Sequence, residues 1–173
     1  MKIPAIKFEN VPLSIRDENQ WVLWKNIIRS GKSTKVPYSV YGLPASSTDA
    51  STWSTYESAV IRYDEREHAG IGFVFREGGG IAGIDLDGCR NPETGIIEEW
   101  AWKVIDRFKG YTEISPSETG VKIWIKCSAS VAKGINRKLS ESSVSSKTPG
   151  IEIYTQGRYF AFTGKVIKGY ETL

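Results

Sequence analysis

The sequence predicts an α+β protein whose strands pair mainly as antiparallel hairpins. Short apolar runs recur along the chain, and turns rich in glycine or serine separate them, which is typical of strands joined in hairpins. Two other segments repeat their apolar residues at helical spacing. With 173 residues, the chain is predicted to be one domain, or one domain with a small appendage, that can bury about 70% of its unfolded surface.

The composition is that of an ordinary globular protein and excludes several classes. The 23 basic and 20 acidic residues leave a net charge of +3, which is compatible with a polyanionic partner but does not require one. Cys89 and Cys127 lie far apart without metal-type spacing, which favours a reduced, cytoplasmic protein. Lys2, Lys7 and Glu9 argue against a signal peptide, and no apolar run in the sequence approaches membrane-spanning length.

The first half of the chain is predicted to form a hairpin and a helix. In order, the elements are a helical turn over 14–20, a strand over 21–28, its return strand over 34–38 and a helix over 55–67. Lys32 and Lys35 lie on the hairpin, and an exposed, solubilising role is the better interpretation of Lys32. His68, the chain's single histidine, follows the helix and is interpreted as structural.

The second half is predicted to alternate hairpins with one helix. The elements are a hairpin of 70–75 and 81–87, a helix with an apolar stripe from Ile97 to Phe108, strands over 111–115 and 121–126 around a tight loop at 116–120, and a last hairpin of 151–154 and 158–163. Residues 128–149 are rich in Ser and Lys, lack periodicity and are predicted to be a mobile loop.

The strand over 81–87 ends in two acids on one face. Side chains alternate along a strand, so Asp85 and Asp87 point one way while Ile84 and Leu86 point into the core. The two carboxylates leave the backbone roughly 6–7 Å apart, and their repulsion at an effective dielectric near 20 is about 2–3 kcal/mol. A divalent cation such as Mg²⁺ or Mn²⁺ would relieve it. Taken alone, the pair is better interpreted as a solvated turn, because Asp-Gly is a common turn sequence.

Three further pieces favour a phosphate-handling site. The loop from Ser115 to Gly120, followed by Lys122, brings together hydroxyls, backbone N–H groups and a cation that could hold a triphosphate. Glu152 interrupts a short apolar strand and therefore faces away from its neighbours. Arg158 follows on the next strand, where it could reach a phosphate. Two of these pieces have an ordinary alternative: the loop could be a Ser/Thr hairpin with an exposed lysine, and Arg158 could belong to a surface ion pair.

In this order the blocks resemble the archaeo-eukaryotic primase superfamily, and more narrowly the bifunctional primase–polymerase domains of phage, plasmid and mobile-element replication proteins. The matching pieces are Gly-Ile-Asp-Leu-Asp at 83–87, Tyr-Thr-Glu-Ile-Ser-Pro-Ser at 111–117 with Gly-Val-Lys at 120–122, Ile-Glu-Ile-Tyr at 151–154, Arg-Tyr-Phe at 158–160 and Thr-Gly at 163–164. Segments 20–24, 35–37 and 45–53 also resemble the family's N-terminal half. The motifs are weak singly, but their order and spacing are fairly specific.

The resemblance implies a single primase/polymerase domain over 1–173. A small N-terminal α/β unit would cover about 1–69, an RRM-like catalytic antiparallel sheet with packed helices 70–164, and the start of a linker to a C-terminal helicase 165–173. Asp85, Asp87 and Glu152 would be the catalytic, metal-holding acids for Mg²⁺ or Mn²⁺ in a two-metal transfer.

The resemblance also implies the partners of the domain. They would be an NTP or dNTP, a single-stranded or primed DNA template and the helicase, with no membrane. The nucleotide-binding residues would be Ser115, Ser117, Gly120, Lys122 and Arg158, and we expect Lys35 to contact DNA.

Two positions depart from the family pattern. Lys122 stands where a histidine is usual, and it can still bind phosphate as a point charge. Ser117-Glu118 replaces the usual Ser-Gly, so Glu118 should bring negative charge near the triphosphate.

Two alternatives to an active primase/polymerase stay open. One is a catalytically weak or inactive primase-like domain that binds nucleotide or DNA to assist a helicase. The other is a metal-dependent nuclease. Primer synthesis distinguishes the first from an active enzyme, and strand degradation without nucleotides would favour the second.

Overall fold

The computed structural model describes residues 5–128 and 134–173, which form two antiparallel sheets and a few short helices. The elements are a 3-10 turn (Phe8–Asn10), α1 (Leu13–Arg16), β1 (Trp21–Arg29), β2 (Lys32–Tyr38), a 3-10 turn (Ala50–Thr52), α2 (Tyr56–Arg62), β3 (Gly70–Phe75), β4 (Ile81–Asp87), α3 (Glu99–Phe108), β5 (Tyr111–Ile114), β6 (Val121–Lys126), β7 (Ile135–Lys138), β8 (Gly150–Tyr154) and β9 (Arg158–Ala161). The predicted α+β class is confirmed. No helix in the described part of the chain is long and apolar enough to cross a membrane.

The first sheet has the strand order β2-β1-β3-β9. Its outer hairpin, β1–β2, turns through Ser30 and Gly31, whose φ angles are 49° and 77°. Two consecutive positive φ angles match the turn whose twist fits paired strands, so Arg29 comes to lie opposite Lys32. The predicted hairpin is confirmed.

The second sheet has the strand order β5-β6-β4-β8-β7, which places β4 at its centre. Ile84 and Leu86 on β4 are fully buried and pack with Ala101 and Ile105 of α3. The predicted alternation is therefore confirmed, because the opposite face of β4 carries Asp85 and Asp87.

The two sheets pack against each other through aromatic side chains. Phe75 of β3 and Phe160 of β9 meet edge to face with their ring centroids 4.8 Å apart, and Trp124 of β6 lies 5.6 Å from Phe160. Both phenylalanine rings lie over Gly83 of β4, where an added Cβ would overlap them. Gly83 is thus the point of closest approach between the sheets.

Two predicted hairpins are wrong, because their arms belong to different sheets. β3 pairs with β1 and β9, whereas β4 pairs with β6 and β8. Likewise, β8 pairs with β4 and β7 and does not pair with β9. Each short turn therefore carries the chain from one sheet to the other. The reason is burial: β3 is buried along its whole length, and a continuous apolar strand does not specify its partner by pattern.

Two predicted segments have different bounds in the structure, and two others make contacts that the prediction did not include. Helix α2 ends at Arg62, because Tyr63 already has an extended ψ of 120°, so the prediction of a helix to residue 67 is too long. Part of the predicted mobile loop over 128–149 forms β7, while residues 129–133 of it lie outside the described residues. Residues 165–173 run beside β5, where Ile167 N donates to Thr112 O at 2.9 Å. The first sheet also takes β3 and β9 from beyond residue 69.

The close approach at Gly83 gives a stability prediction. Gly83→Ala should lower the free energy of unfolding by about 1–3 kcal/mol, because the Cβ forces the two rings apart. The measurement is urea denaturation followed by tryptophan fluorescence.

Gly150→Ala on β8 is the matched control. Its Cβ would meet Arg137 O at an ordinary 3.4 Å, so stability should stay equal or rise by up to about 1 kcal/mol. Equal losses in both variants would contradict this account of the sheet packing.

Candidate active site

A row of polar side chains crosses the second sheet at the level of Asp85. Directly opposed residues in an antiparallel sheet share a face, with Cβ atoms about 4.5–5.5 Å apart. From β5 to β7 the row reads Glu113, Lys122, Asp85, Glu152 and Asn136. Asp87 lies two residues further along the same face of β4. Sequence-predicted residues on three strands are thus neighbours in space.

Asp85 is held by the lysine directly opposite it. Lys122 Nζ lies 2.5 Å from Asp85 Oδ2, and the two side chains are 7% and 18% exposed. The same ammonium stands 4.0 Å from the centroid of the Phe160 ring, a favourable cation–π position. Asp85 Oδ1, by contrast, is buried without a hydrogen-bond partner among the described residues. A buried carboxylate oxygen without a partner is costly, so this atom is suited to bind a ligand.

The other two acids also have partners. Lys147 Nζ is ion-paired with Asp87 Oδ1. Glu152 Oε1 accepts a hydrogen bond from Asn136 Nδ2, and Glu152 Oε2 accepts one from the Tyr154 hydroxyl, both at 2.7 Å. Accordingly, no group of three His, Cys, Asp or Glu side chains within residues 5–128 and 134–173 is close enough to hold a metal ion as it stands.

The donor set nevertheless fits a divalent cation. Carboxylate oxygens are the ligands that Mg²⁺ and Mn²⁺ prefer, and Asp85 Oδ1 is already free of protein partners among the described residues. Asp87 shares its face and is accessible, with 28% of its side chain exposed. A cation reaching Asp87 Oδ1 would have to displace the ammonium of Lys147.

A cavity of about 230 Å³ opens between the two sheets beside Asp85. Its lining includes Asp85, Glu152 and Lys122 from the second sheet, and Lys35 and Arg158 from the first. Arg158 lies over the Tyr154 ring at 5.3 Å from its centroid. The fold thus brings five of the predicted site residues to one basic and acidic cleft.

Lys35 faces the acids from β2 across this cleft. Burial of its ammonium, followed by repulsion from Lys122, lowers its pKa from 10.5 to about 8, and Asp85 and Asp87 only partly offset these effects. The residue as a whole is nevertheless exposed to solvent. Lys35 thus points toward the acid row, with its ammonium 5.6 Å from the Trp24 ring centroid.

The predicted triphosphate loop packs against the end of β4, and Ser115, Ser117 and Gly120 do not line the cavity. Ser115 Oγ and Ser117 Oγ are 3.0 Å apart and form a hydrogen-bonded pair. Gly120 packs so closely on β4 that an added Cβ would lie 2.5 Å from Leu86 O. This contact seats the loop beside Asp87. Glu118 pairs with Lys165 at 2.5 Å, so its negative charge is neutralised.

Sequence reasoning missed two residues of the site region. Lys147 lies in an aperiodic segment, where no sequence signal assigns it a partner. Glu113 is fully buried and accepts hydrogen bonds from the backbone N–H groups of Thr163 and Gly164 at 2.8 and 2.7 Å. Burial outweighs these bonds and raises the pKa of Glu113 to about 7. A sequence signal for Glu113 was present, because Glu113 and its donors Thr163 and Gly164 lie in the motifs at 111–117 and 163–164.

The fold and the acid row agree with the primase-like class that the motifs imply. The chain is similar to a DNA primase-polymerase of Nitratiruptor phage NrS-1, with 33% identity over 177 aligned residues and 100% of this chain covered. The predicted resemblance to primase–polymerase domains of phage replication proteins is thereby confirmed. The chain spans 22% of the length of that relative, which is a longer protein. No family model matches the chain.

The position of Lys35 generates a pH prediction. Because its pKa is lowered in the folded protein, folding releases a proton between pH 8 and 10.5, and the Lys35 contribution to stability should increase as pH rises through this window. NMR titration of ¹³C-methylated lysines should show one amine titrating near pH 8 that is missing in Lys35→Arg.

Lys122→Met serves as the electrostatic control for this titration. Removal of the neighbouring ammonium should raise the pKa of Lys35, since one lowering influence is gone and Asp85 loses its partner. A Lys35 amine that titrates near 10.5 in the unaltered protein would contradict the placement of Lys35 in the cleft.

Proposed function

We propose that this chain is the nucleotidyl-transfer domain of a DNA primase–polymerase, which makes primers on a DNA template, extends them, or both. The observation that carries the proposal is the buried Asp85 Oδ1, which has no hydrogen-bond partner among the described residues and lies at the wall of a cleft lined by lysine and arginine. Similarity over the whole chain to a phage protein named DNA primase-polymerase supports the same conclusion. The substrates are then a nucleoside triphosphate and single-stranded or primed DNA.

The three acids would hold one or two Mg²⁺ or Mn²⁺ ions, with Asp85 Oδ1 as the ligand that is free among the described residues. Such ions supply Lewis-acid stabilisation of the phosphoryl oxygens and of the leaving pyrophosphate. The side chains of Asp87 and Glu152 complete the acidic face, and their neighbours Asn136 and Tyr154 orient the Glu152 carboxylate.

The basic side chains of the cleft bind the triphosphate. Lys122 and Arg158 line the cavity that Asp85 and Glu152 also line, so a polyanion entering it meets both signs of charge. Lys35 acts inside the same cavity, on a phosphate of the nucleotide or of the DNA strand. The loop of Ser115, Ser117 and Gly120 offers hydroxyls beside Asp87 for the far end of the triphosphate.

A helicase partner belongs to the same proposal. The relative is several times longer than the matched segment, which leaves room for further domains in a protein of this kind. A replicative helicase in the same chain, or acting with it, would supply the single-stranded template. This association would take place in the cytoplasm of the host cell.

A second candidate is a domain that binds nucleotide or DNA without catalysis. The observation that favours it is that every acid of the row has a protein partner, among them the ammonium that replaces the usual histidine. In that case nucleotide would bind at the cleft and no phosphodiester bond would form.

Primer synthesis decides between the two candidates. With single-stranded DNA, nucleoside triphosphates and Mg²⁺ or Mn²⁺, the unaltered chain should incorporate labelled nucleotide. Asp85→Asn and Glu152→Gln should each lower incorporation at least about 100-fold, which corresponds to roughly 2.7 kcal/mol of lost transition-state stabilisation.

Glu99→Gln is the control, because Glu99 is an exposed residue of α3 that pairs with Lys103 on the helix surface. It should leave incorporation unchanged. Nucleotide binding without incorporation would favour the non-catalytic candidate, and degradation of the labelled strand without added nucleotide would make the chain a nuclease.

A further inference from the structure

Each aspartate of β4 forms an ion pair with a different lysine, and the two lysines differ in solvent exposure. Lys122 lies on β6, an interior strand of the second sheet. Its side chain is 7% exposed, and its ammonium contacts both Asp85 and the Phe160 ring. Lys147 belongs to the serine-rich segment (residues 139–149), and 47% of its side chain is exposed. One counter-ion is therefore enclosed by the sheets, whereas the other can leave its carboxylate.

The serine-rich segment is fastened to the end of β4 that carries Asp87. Glu98 Oε1 lies 2.7 Å from Ser142 Oγ and accepts the backbone N–H of Ser143 at 2.7 Å. Ser142 Oγ is also 2.6 Å from Gly88 O, one residue beyond Asp87. At the base of the segment, Leu139 N donates to Pro149 O at 2.9 Å. The segment thus has a defined position beside the acids.

Gly88 allows Lys147 to come this close. Its φ angle is +62°, and an added Cβ would overlap the carbonyl group of Lys147. The backbone of Lys147 therefore lies directly against the residue that follows Asp87, and its side chain reaches the Asp87 carboxylate. The Ser115–Gly120 loop approaches Asp87 as well, because Gly120 packs against Leu86 O and the Asp87 Cα.

We propose that Lys147 is a phosphate-binding residue of the nucleotide site, and that it occupies Asp87 only while no cation is bound there. The inference rests on the proposed function and deepens it. An ammonium and a divalent cation compete for the same carboxylate, since each is attracted at short range to its negative charge. A cation that takes Asp87 releases Lys147 beside the anionic oxygens that accompany it, and a charge-assisted hydrogen bond forms there.

This exchange predicts opposite effects of one substitution on two ligands. In Lys147→Met, Asp87 has no competing ammonium, so Mn²⁺ without nucleotide should bind about 3- to 10-fold more tightly. A nucleoside triphosphate with Mg²⁺ should bind about 10-fold more weakly, because a phosphate ligand is lost. Calorimetry or Mn²⁺ electron paramagnetic resonance without DNA measures both affinities and involves no turnover.

Two further variants make the test specific. Lys138→Met, at the exposed end of β7, removes the same charge from the residue just before the serine-rich segment and should change neither affinity. Lys147→Arg keeps the charge and should retain most of the nucleotide affinity. A purely structural role of Lys147 would instead lower both affinities together in Lys147→Met.

The outcomes separate this inference from the proposed function. If Lys147→Met binds Mn²⁺ and nucleotide as the unaltered protein does, or loses both equally, the exchange is overturned while the proposed function stands. If the unaltered protein binds neither ligand, the proposed function fails and the role of Lys147 fails with it.

Discussion

The ion pair between Asp85 and Lys122 is the interaction on which the site depends. It lies at the centre of the second sheet, where β4 and β6 place the two residues directly opposite each other. Loss of one partner from a buried pair typically costs about 3–5 kcal/mol, because the other charge stays desolvated. The second oxygen of Asp85, Oδ1, has no hydrogen-bond partner among the described residues and stays available for a ligand.

Packing of the two sheets decides where that carboxylate meets solvent. Gly83 lets Phe75 and Phe160 close the interface at one end of β4, and the same face opens into the cleft two residues later. Because β9 belongs to the first sheet and β8 to the second, Arg158 and Glu152 approach the cleft from opposite walls. The predicted nucleotide-binding Arg158 thus faces the predicted catalytic Glu152 across the cleft because the turn between β8 and β9 crosses between the sheets.

Local sequence patterns predicted much of this arrangement, whereas the contacts between distant segments were not predicted. Alternation along 81–87 placed both aspartates on one face and Ile84 in the core, as observed. Strand partners were missed for β3 and β8. β3 is buried and apolar on both faces, so no periodicity marks its neighbours, and the single acid of β8 marks one face of that strand without identifying its partner. Lys147 was missed for a related reason: its position comes from contacts with Gly88 and Glu98, which are distant in sequence.

Anomalous diffraction from crystals grown with Mn²⁺ and a non-hydrolysable nucleoside triphosphate tests the central claim most directly. The account predicts a Mn²⁺ peak about 2.1 Å from Asp85 Oδ1, the distance for a small divalent cation, with the triphosphate in the cleft beside Lys122 and Arg158. Mn²⁺ and nucleotide bound elsewhere, for example in the polar cavity beside His68, with Asp85 still paired only to Lys122, would contradict it.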